Sequence, residues 1–178
     1  MPYTAFQSNV PPMAYSSVAA SAAISNLTAE TAFDKTYSIE SNSLKAGDVI
    51  RILAQGTATA TNSTDTLDFQ LRLGTADIFA TGAVDVADGD IFYIQADIVI
   101  RTIGASGTFV GAGITANGVP GTVTGRPRFK ASTALDTTAD ISVNCSATWS
   151  VASASNSCRL DILNVQVLPA AITSALTT

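Results

Sequence analysis

Histidine is absent from this chain of 178 residues. Without an imidazole there is no Ser-His-Asp triad, no Cys-His pair and no histidine ligand for a metal. Carboxylates remain, chiefly in the acidic stretch "DVADGD" (Asp85 to Asp90), which does not follow the EF-hand spacing and is typical of an Asp-Gly turn. We therefore predict no catalytic residue, no cofactor, no metal site and no enzymatic activity. Calcium binding at an acidic turn stays open.

Cysteine is scarce, with Cys145 and Cys158 alone. Both lie in "DISVNCSATWSVASASNSCRLDILNVQVL", where alternating apolar residues predict two strands. A hairpin turning at residues 152–157 would place Cys145 opposite Asn164, about 20 Å from Cys158. A disulfide is then excluded, and we predict two free, core-facing thiols. The apolar phase slips at Ile162 and Leu163, which indicates a bulge there.

Charge is also sparse, with nine Lys and Arg against fourteen Asp and Glu and a net charge of −5. This balance disfavours a nucleic-acid partner, since phosphate binding needs clustered cations. One local basic cluster exists, Arg126, Arg128 and Lys130, either a solvated loop flank or a contact patch. The apolar runs are too short to span a membrane, and the N-terminus lacks the pattern of a secretion signal, so we expect no membrane partner and synthesis in the cytoplasm.

Period-two alternation fills the chain between residues 30 and 168. It predicts an all-β, antiparallel, jelly-roll-like sandwich of about eight strands. The segment from Ala116 to Arg128, rich in Gly and Pro, is interpreted as a loop. The predicted core consists of Ile50, Ile52, Leu67, Phe69, Leu71, Ile94, Ile98, Ile141, Val143, Ala147, Trp149 and Leu160.

The two ends differ from this domain. Residues 1–29 carry no charge but contain spaced apolar side chains, which favours an N-terminal attachment arm over a solvated tail. The alternative is that this leader packs back along its own sandwich. "SSVAASAAIS" (Ser16 to Ser25) is a candidate short helix, and residues 169–178 are interpreted as a C-terminal tail. The arm residues predicted to bind a partner are Tyr3, Phe6, Val10, Met13 and Tyr15.

Three runs resemble the jelly-roll structural proteins of tailed-phage virions, which are capsid decoration (cement) proteins or head and tail fibre domains. The runs are "NSLKAGDVIRILAQGTATATNSTDTLDFQLRLG", "TGAVDVADGDIFYIQADIVIRTIGASGT" and "TTADISVNCSATWSVASASNSCRLDILNVQVL". The resemblance covers residues 27–168. It implies a homotrimer that binds the major capsid protein on the surface of a virion made in a bacterial cytoplasm.

Two functions follow from this resemblance. In the first, the protein is a cement that bridges neighbouring capsid subunits through its arm, with Arg126, Arg128 and Lys130 as further contact residues. In the second, it is a fibre or receptor-binding domain that recognises a host surface glycan through loops such as residues 116–128. In either case we expect subunit contacts on the strand faces that carry Ile91, Tyr93 and Val99.

Overall fold

The computed structural model describes residues 13–60 and 64–170, without the side chains of residues 13 and 14. All helical or strand structure in this part of the chain is β-strand, and no helix there is long and apolar enough to cross a membrane. The strands are β1 (Met13–Ser16), β2 (Ile24–Ser25), β3 (Thr31–Ile39), β4 (Val49–Thr59), β5 (Thr66–Leu73), β6 (Ala76–Ala80), β7 (Val84–Asp85), β8 (Asp90–Thr102), β9 (Thr108–Gly118), β10 (Thr124–Ala134), β11 (Ile141–Trp149) and β12 (Ser157–Leu168).

The strands form two antiparallel sheets that pack face to face. The seven-stranded sheet has the order β1-β12-β4-β8-β9-β10, with β2 also paired to β12. The five-stranded sheet has the order β3-β11-β5-β6, with β7 also paired to β5. The predicted all-β sandwich is confirmed, and the eight longest described strands, β3 to β5 and β8 to β12, match the predicted number.

The core lies between the sheets, where alternate side chains of facing strands meet. Every predicted core residue is buried, and none of the twelve is more than 3% exposed. Trp149 and Phe69 are among the largest of these side chains, and the Phe69 and Phe92 rings lie 4.2 Å apart between centroids. Burial of these apolar faces is the main favourable term for a sandwich of this kind.

The predicted β11–β12 hairpin is wrong. Strand β11 lies between β3 and β5 in one sheet, and β12 lies between β1 and β4 in the other, so residues 150–156 cross from sheet to sheet. Cys145 pairs with Leu71, whereas Cys158 pairs with Ala58. Both thiols are nevertheless free and buried, as predicted. The predicted bulge is also confirmed, since the β12–β4 register shifts between Leu160 and Ile162.

The leader is not a free arm from residue 13 onward. Strand β1 pairs with β12 from Met13 to Ser16, and β2 pairs with Ser157 and Cys158. The candidate helix over Ser16 to Ser25 is wrong, because this segment is extended and contains β2. Strands β1 and β2, which precede the domain boundary predicted after Ala29, therefore pair with a strand of the sandwich. Residues 1–12 lie outside the described part.

Two serines of the leader form hydrogen bonds with β12 on the two sides of its bulge. The Ser21 N–H donates to Leu160 O at 2.8 Å, and the Ser21 Oγ accepts from the Leu160 N–H at 2.9 Å. Ser17 makes the same pair of bonds with Leu163, each at 2.9 Å. The bulge interrupts the regular backbone hydrogen bonding of β12 between these two serines. The serine hydroxyl oxygens therefore replace backbone carbonyls as acceptors for the Leu160 and Leu163 N–H groups.

The loop predicted from Ala116 to Arg128 is also wrong, because most of it belongs to β9 and β10. Residues 119–123 alone connect the two strands, with Gly121 at φ 93°. Pro127 is tolerated inside β10 because β10 is the last strand of its sheet, where a missing N–H need not break a ladder.

The predicted Asp-Gly turn at residues 85–90 is present, and residues 44–48 form a second short turn. Gly89 of "DVADGD" has φ 78°, and the Ala87 N–H donates to Asp90 Oδ2 at 2.9 Å. Gly47 of "LKAGD" has φ 93°. The Ala170 N–H donates to Asp48 Oδ1 at 2.8 Å, so the start of the predicted C-terminal tail contacts this turn, and residues 171–178 lie outside the description.

Candidate functional site

The outer face of the five-stranded sheet is polar and internally bonded. Arg72 forms ion pairs with Glu30 at 2.8 Å and Asp77 at 3.1 Å. The Ser146 hydroxyl donates to the other oxygen of Glu30 at 2.5 Å. Three charged groups of this face are therefore held together by ion pairs within the sheet.

The outer face of the seven-stranded sheet has a different composition. At one end, four aliphatic side chains lie directly opposite one another across neighbouring strands. This apolar row consists of Leu168, Val49, Val99 and Val110. All four are half-buried within the described chain. An apolar row on a solvent-facing sheet is typical of a contact surface.

Two ion pairs lie on this face. Arg51 Nε lies 2.8 Å from Asp97 Oδ1, and Arg159 Nε lies 2.7 Å from Asp161 Oδ1. The hydrogen bond that Arg51 donates to Asp97, and the negative charge of that carboxylate, raise the pKa of the Arg51 guanidinium. The centre of the face therefore carries polar groups without net charge.

A shallow groove of about 190 Å³ crosses β12, β4 and β8 at this centre. We call it the amide groove, and it is lined by Arg51, Ile52, Leu53, Tyr93, Gln95, Asn164 and Gln166. The Tyr93 hydroxyl donates to Gln95 Oε1 at 2.7 Å, and the Ser16 hydroxyl donates to Asn164 Oδ1 at 2.8 Å. These bonds orient two of its amides.

The β9–β10 hairpin forms the edge of the same sheet. On the outer side, Phe129 lies opposite Ala112 and is 75% exposed, and Ile114 lies opposite Pro127 and is 44% exposed. Val119 and Val123 in the connecting turn are exposed as well. We call the four exposed apolar residues Ile114, Val119, Val123 and Phe129 the hairpin patch.

The basic cluster lies on the opposite side of β10. Arg126, Arg128 and Lys130 alternate along the strand, so they share one side, which faces the narrower five-stranded sheet. The Arg128 guanidinium donates to Thr115 Oγ1 at 2.9 Å and to Thr81 O at 3.4 Å, and so covers the end of β6. None of the three takes part in an ion pair with another described residue.

This position explains the cluster physically. The wider sheet extends past the core at β10, where an apolar side chain would have no partner strand to cover it. A long cationic side chain can pack its stem there and keep its charge in water. The basic cluster, one interpretation of which was a solvated loop flank, thus lies on an edge strand. Its three cations share one side of that strand.

The predicted arm residues have different outcomes. Tyr15 stacks on Tyr37, with ring centroids 5.7 Å apart, so it packs on its own sandwich and is not a free anchor. Met13 begins β1. Tyr3, Phe6 and Val10 lie outside the described residues, and their role as contacts stays a prediction.

The predicted subunit-contact residues all lie on the outer face of the seven-stranded sheet. Val99 belongs to the apolar row, Tyr93 lines the amide groove, and Ile91 is paired with Thr57 beyond it. Sequence reasoning missed Ile114 and Phe129, which lie just outside the two ends of the predicted loop from Ala116 to Arg128. The alternation of Phe129 with Arg128 and Lys130 was the available signal.

Comparison with known proteins identifies no family. No family model matches the chain, and no curated protein matches it. Among solved structures, it is similar to the winged bean acidic lectin complexed with methyl-α-D-galactose, at 11% sequence identity and a TM-score of 0.32, over 82% of this chain and 81% of the lectin chain. A likeness at this level carries no argument about function.

Proposed function

We propose that the protein is a non-enzymatic virion structural protein, a cement that binds the outside of a phage head and bridges neighbouring subunits of the major capsid protein. The observation that carries the proposal is the β9–β10 hairpin. It presents exposed apolar side chains on one side and, on the other, cations that have no ion-pair partner among the described residues, and it forms an edge of the sandwich. The resemblance to jelly-roll phage proteins supplies the identity of the partner.

The edge itself favours contact through side chains. Pro127 lacks an N–H to donate to an added strand, and the β10 register shifts between Lys130 and Thr133. Both features discourage pairing with another strand. A partner would instead bury Ile114 and Phe129, and its carboxylates would pair with the cations behind them.

The experiment measures binding to heads assembled without this protein. We expect the natural chain to co-sediment with these heads, and the double variant Ile114→Ser, Phe129→Ser to lose most of that binding. The control is Val151→Ser, since Val151 is 46% exposed but lies in the crossing between β11 and β12. Failure of the natural chain to bind would refute the function, and full binding by the double variant would exclude the hairpin patch.

The arm and the assembly state complete the proposal. Deletion of residues 1–12 tests whether Tyr3, Phe6 and Val10 contribute to attachment, because strands β1 and β2 remain in that variant. We propose a homotrimer whose subunits meet through the apolar row. The test of the homotrimer is independent of the capsid assay, since the oligomeric state is measured on the isolated protein.

A further inference from the structure

We propose that the amide groove binds a neutral saccharide. This inference goes beyond the cement function and does not rest on it. The groove lies on the outer face of the central strands, whereas the hairpin patch lies at the edge of the sheet and the apolar row at one end of it. No residue of the groove belongs to either of those surfaces.

The first argument is the charge of the ligand. Arg51 is the cation of the groove, and Asp97 binds it through two hydrogen bonds, of 2.8 and 3.4 Å. An anion would have to compete with this carboxylate, and a cation would meet the guanidinium. The arrangement therefore favours a ligand without net charge.

The second argument is the set of unused hydrogen-bonding groups. Gln95 Oε1 and Asn164 Oδ1 are engaged, so each of these residues has its amide N–H₂ left to donate. Gln166 has no side-chain partner among the described residues, so its amide offers both donors and an acceptor. Sugar hydroxyls both donate and accept, and so match a site built from amides.

The third argument is the apolar surface between these amides. Leu53 lies directly between Asn164 and Gln95 in the sheet register, and Tyr93 is two residues from Gln95 on the same face of β8. The side chains thus combine an aromatic ring and a branched aliphatic group with flanking amides. The C–H face of a sugar ring suits that apolar part, and its hydroxyls suit the rim.

The experiment is an NMR titration of the full-length protein with four neutral probes: D-glucose, D-galactose, D-mannose and N-acetyl-D-glucosamine. We expect at least one to shift the backbone amides of residues 51–53, 93–95 and 164–166 at millimolar concentration. Gln95→Ala should weaken that binding about two- to tenfold, the effect of one neutral hydrogen bond. Tyr93→Phe should also weaken it, because it removes the hydroxyl that orients Gln95.

The matched control is Gln70→Ala, the same substitution on the outer side of β5 in the other sheet, which should leave binding unchanged. An unchanged melting temperature shows that each variant is folded. The inference is overturned if no probe shifts these residues, or if Gln95→Ala and Gln70→Ala bind alike. Tighter binding of D-glucuronate than of D-glucose would refute the argument from charge.

Discussion

Substitution of Ser21 tests whether the leader belongs to the sandwich. The side chain is 8% exposed, and its oxygen accepts the buried N–H of Leu160 while its hydroxyl donates to Ala22 O at 2.8 Å. Ser21→Ala removes the acceptor and leaves the Leu160 N–H buried beside a methyl group. A buried donor without a partner costs about 1–3 kcal/mol.

That cost is measurable by thermal unfolding. A domain of this size loses about 2–4 °C of melting temperature per kcal/mol, so we expect a decrease of about 2–12 °C. Ser25→Ala is the control, because Ser25 is exposed in the same segment and its hydroxyl makes no hydrogen bond to a described residue. It should change stability by no more than about 0.5 kcal/mol.

Two results would refute this reasoning. Equal melting temperatures for Ser21→Ala and Ser25→Ala would show that the serine bond contributes nothing to stability. Deletion of residues 1–29 removes β1, β2 and the buried Ile24 side chain, so it should also lower the melting temperature. No change after that deletion would restore the interpretation of the whole leader as a free arm.

Three further predictions follow from the core and the outer face. Trp149→Ala should cost about 3–5 kcal/mol in chemical denaturation, because the side chain is fully buried. Thiol reagents should modify Cys145 and Cys158 only after unfolding. Burial raises the pKa of Cys158 from 9.0 to about 12, so its contribution to stability is full below pH 9 and is lost as the pH rises toward 12. Sedimentation should show about three chains for the natural protein and for Val151→Asp, but one for Val99→Asp; a monomeric natural protein would contradict the trimer.

The sequence predicts which face of a strand is buried far better than it predicts which strands pair with one another. Alternation assigned Val143 and Leu160 to the core correctly, because burial on one face is a local property with period two. It could not show that β11 and β12 lie in different sheets. The short polar connection from residue 150 to 156 fits a hairpin as well as a crossing, and only the packing of the whole chain distinguishes them.

Two signals in the sequence were ambiguous. Gly and Pro between Ala116 and Arg128 are typical of loops, but an edge strand tolerates both, since one side of its backbone has no ladder to complete. The absence of charge in the leader suggested a partner. In the structure, Ser17 and Ser21 show another use of uncharged residues, since small hydroxyl side chains can complete a bulged edge without the desolvation cost of a charge.

The unequal widths of the two sheets connect these findings. The leader covers one edge of the seven-stranded sheet, and the other edge, at β10, extends past the core. Phe129 on β10 and Ile114 on β9 lie on the outer side of this edge, which no sheet of the described chain covers, so both can be exposed at little cost to the fold. Substitutions at these two positions should therefore weaken attachment while leaving the melting temperature within about 2 °C of the natural value, since exposed positions seldom change stability by more than about 0.5 kcal/mol. A large fall in melting temperature would mean that the hairpin patch supports the sandwich itself, and a loss of capsid binding by these variants would then reflect unfolding.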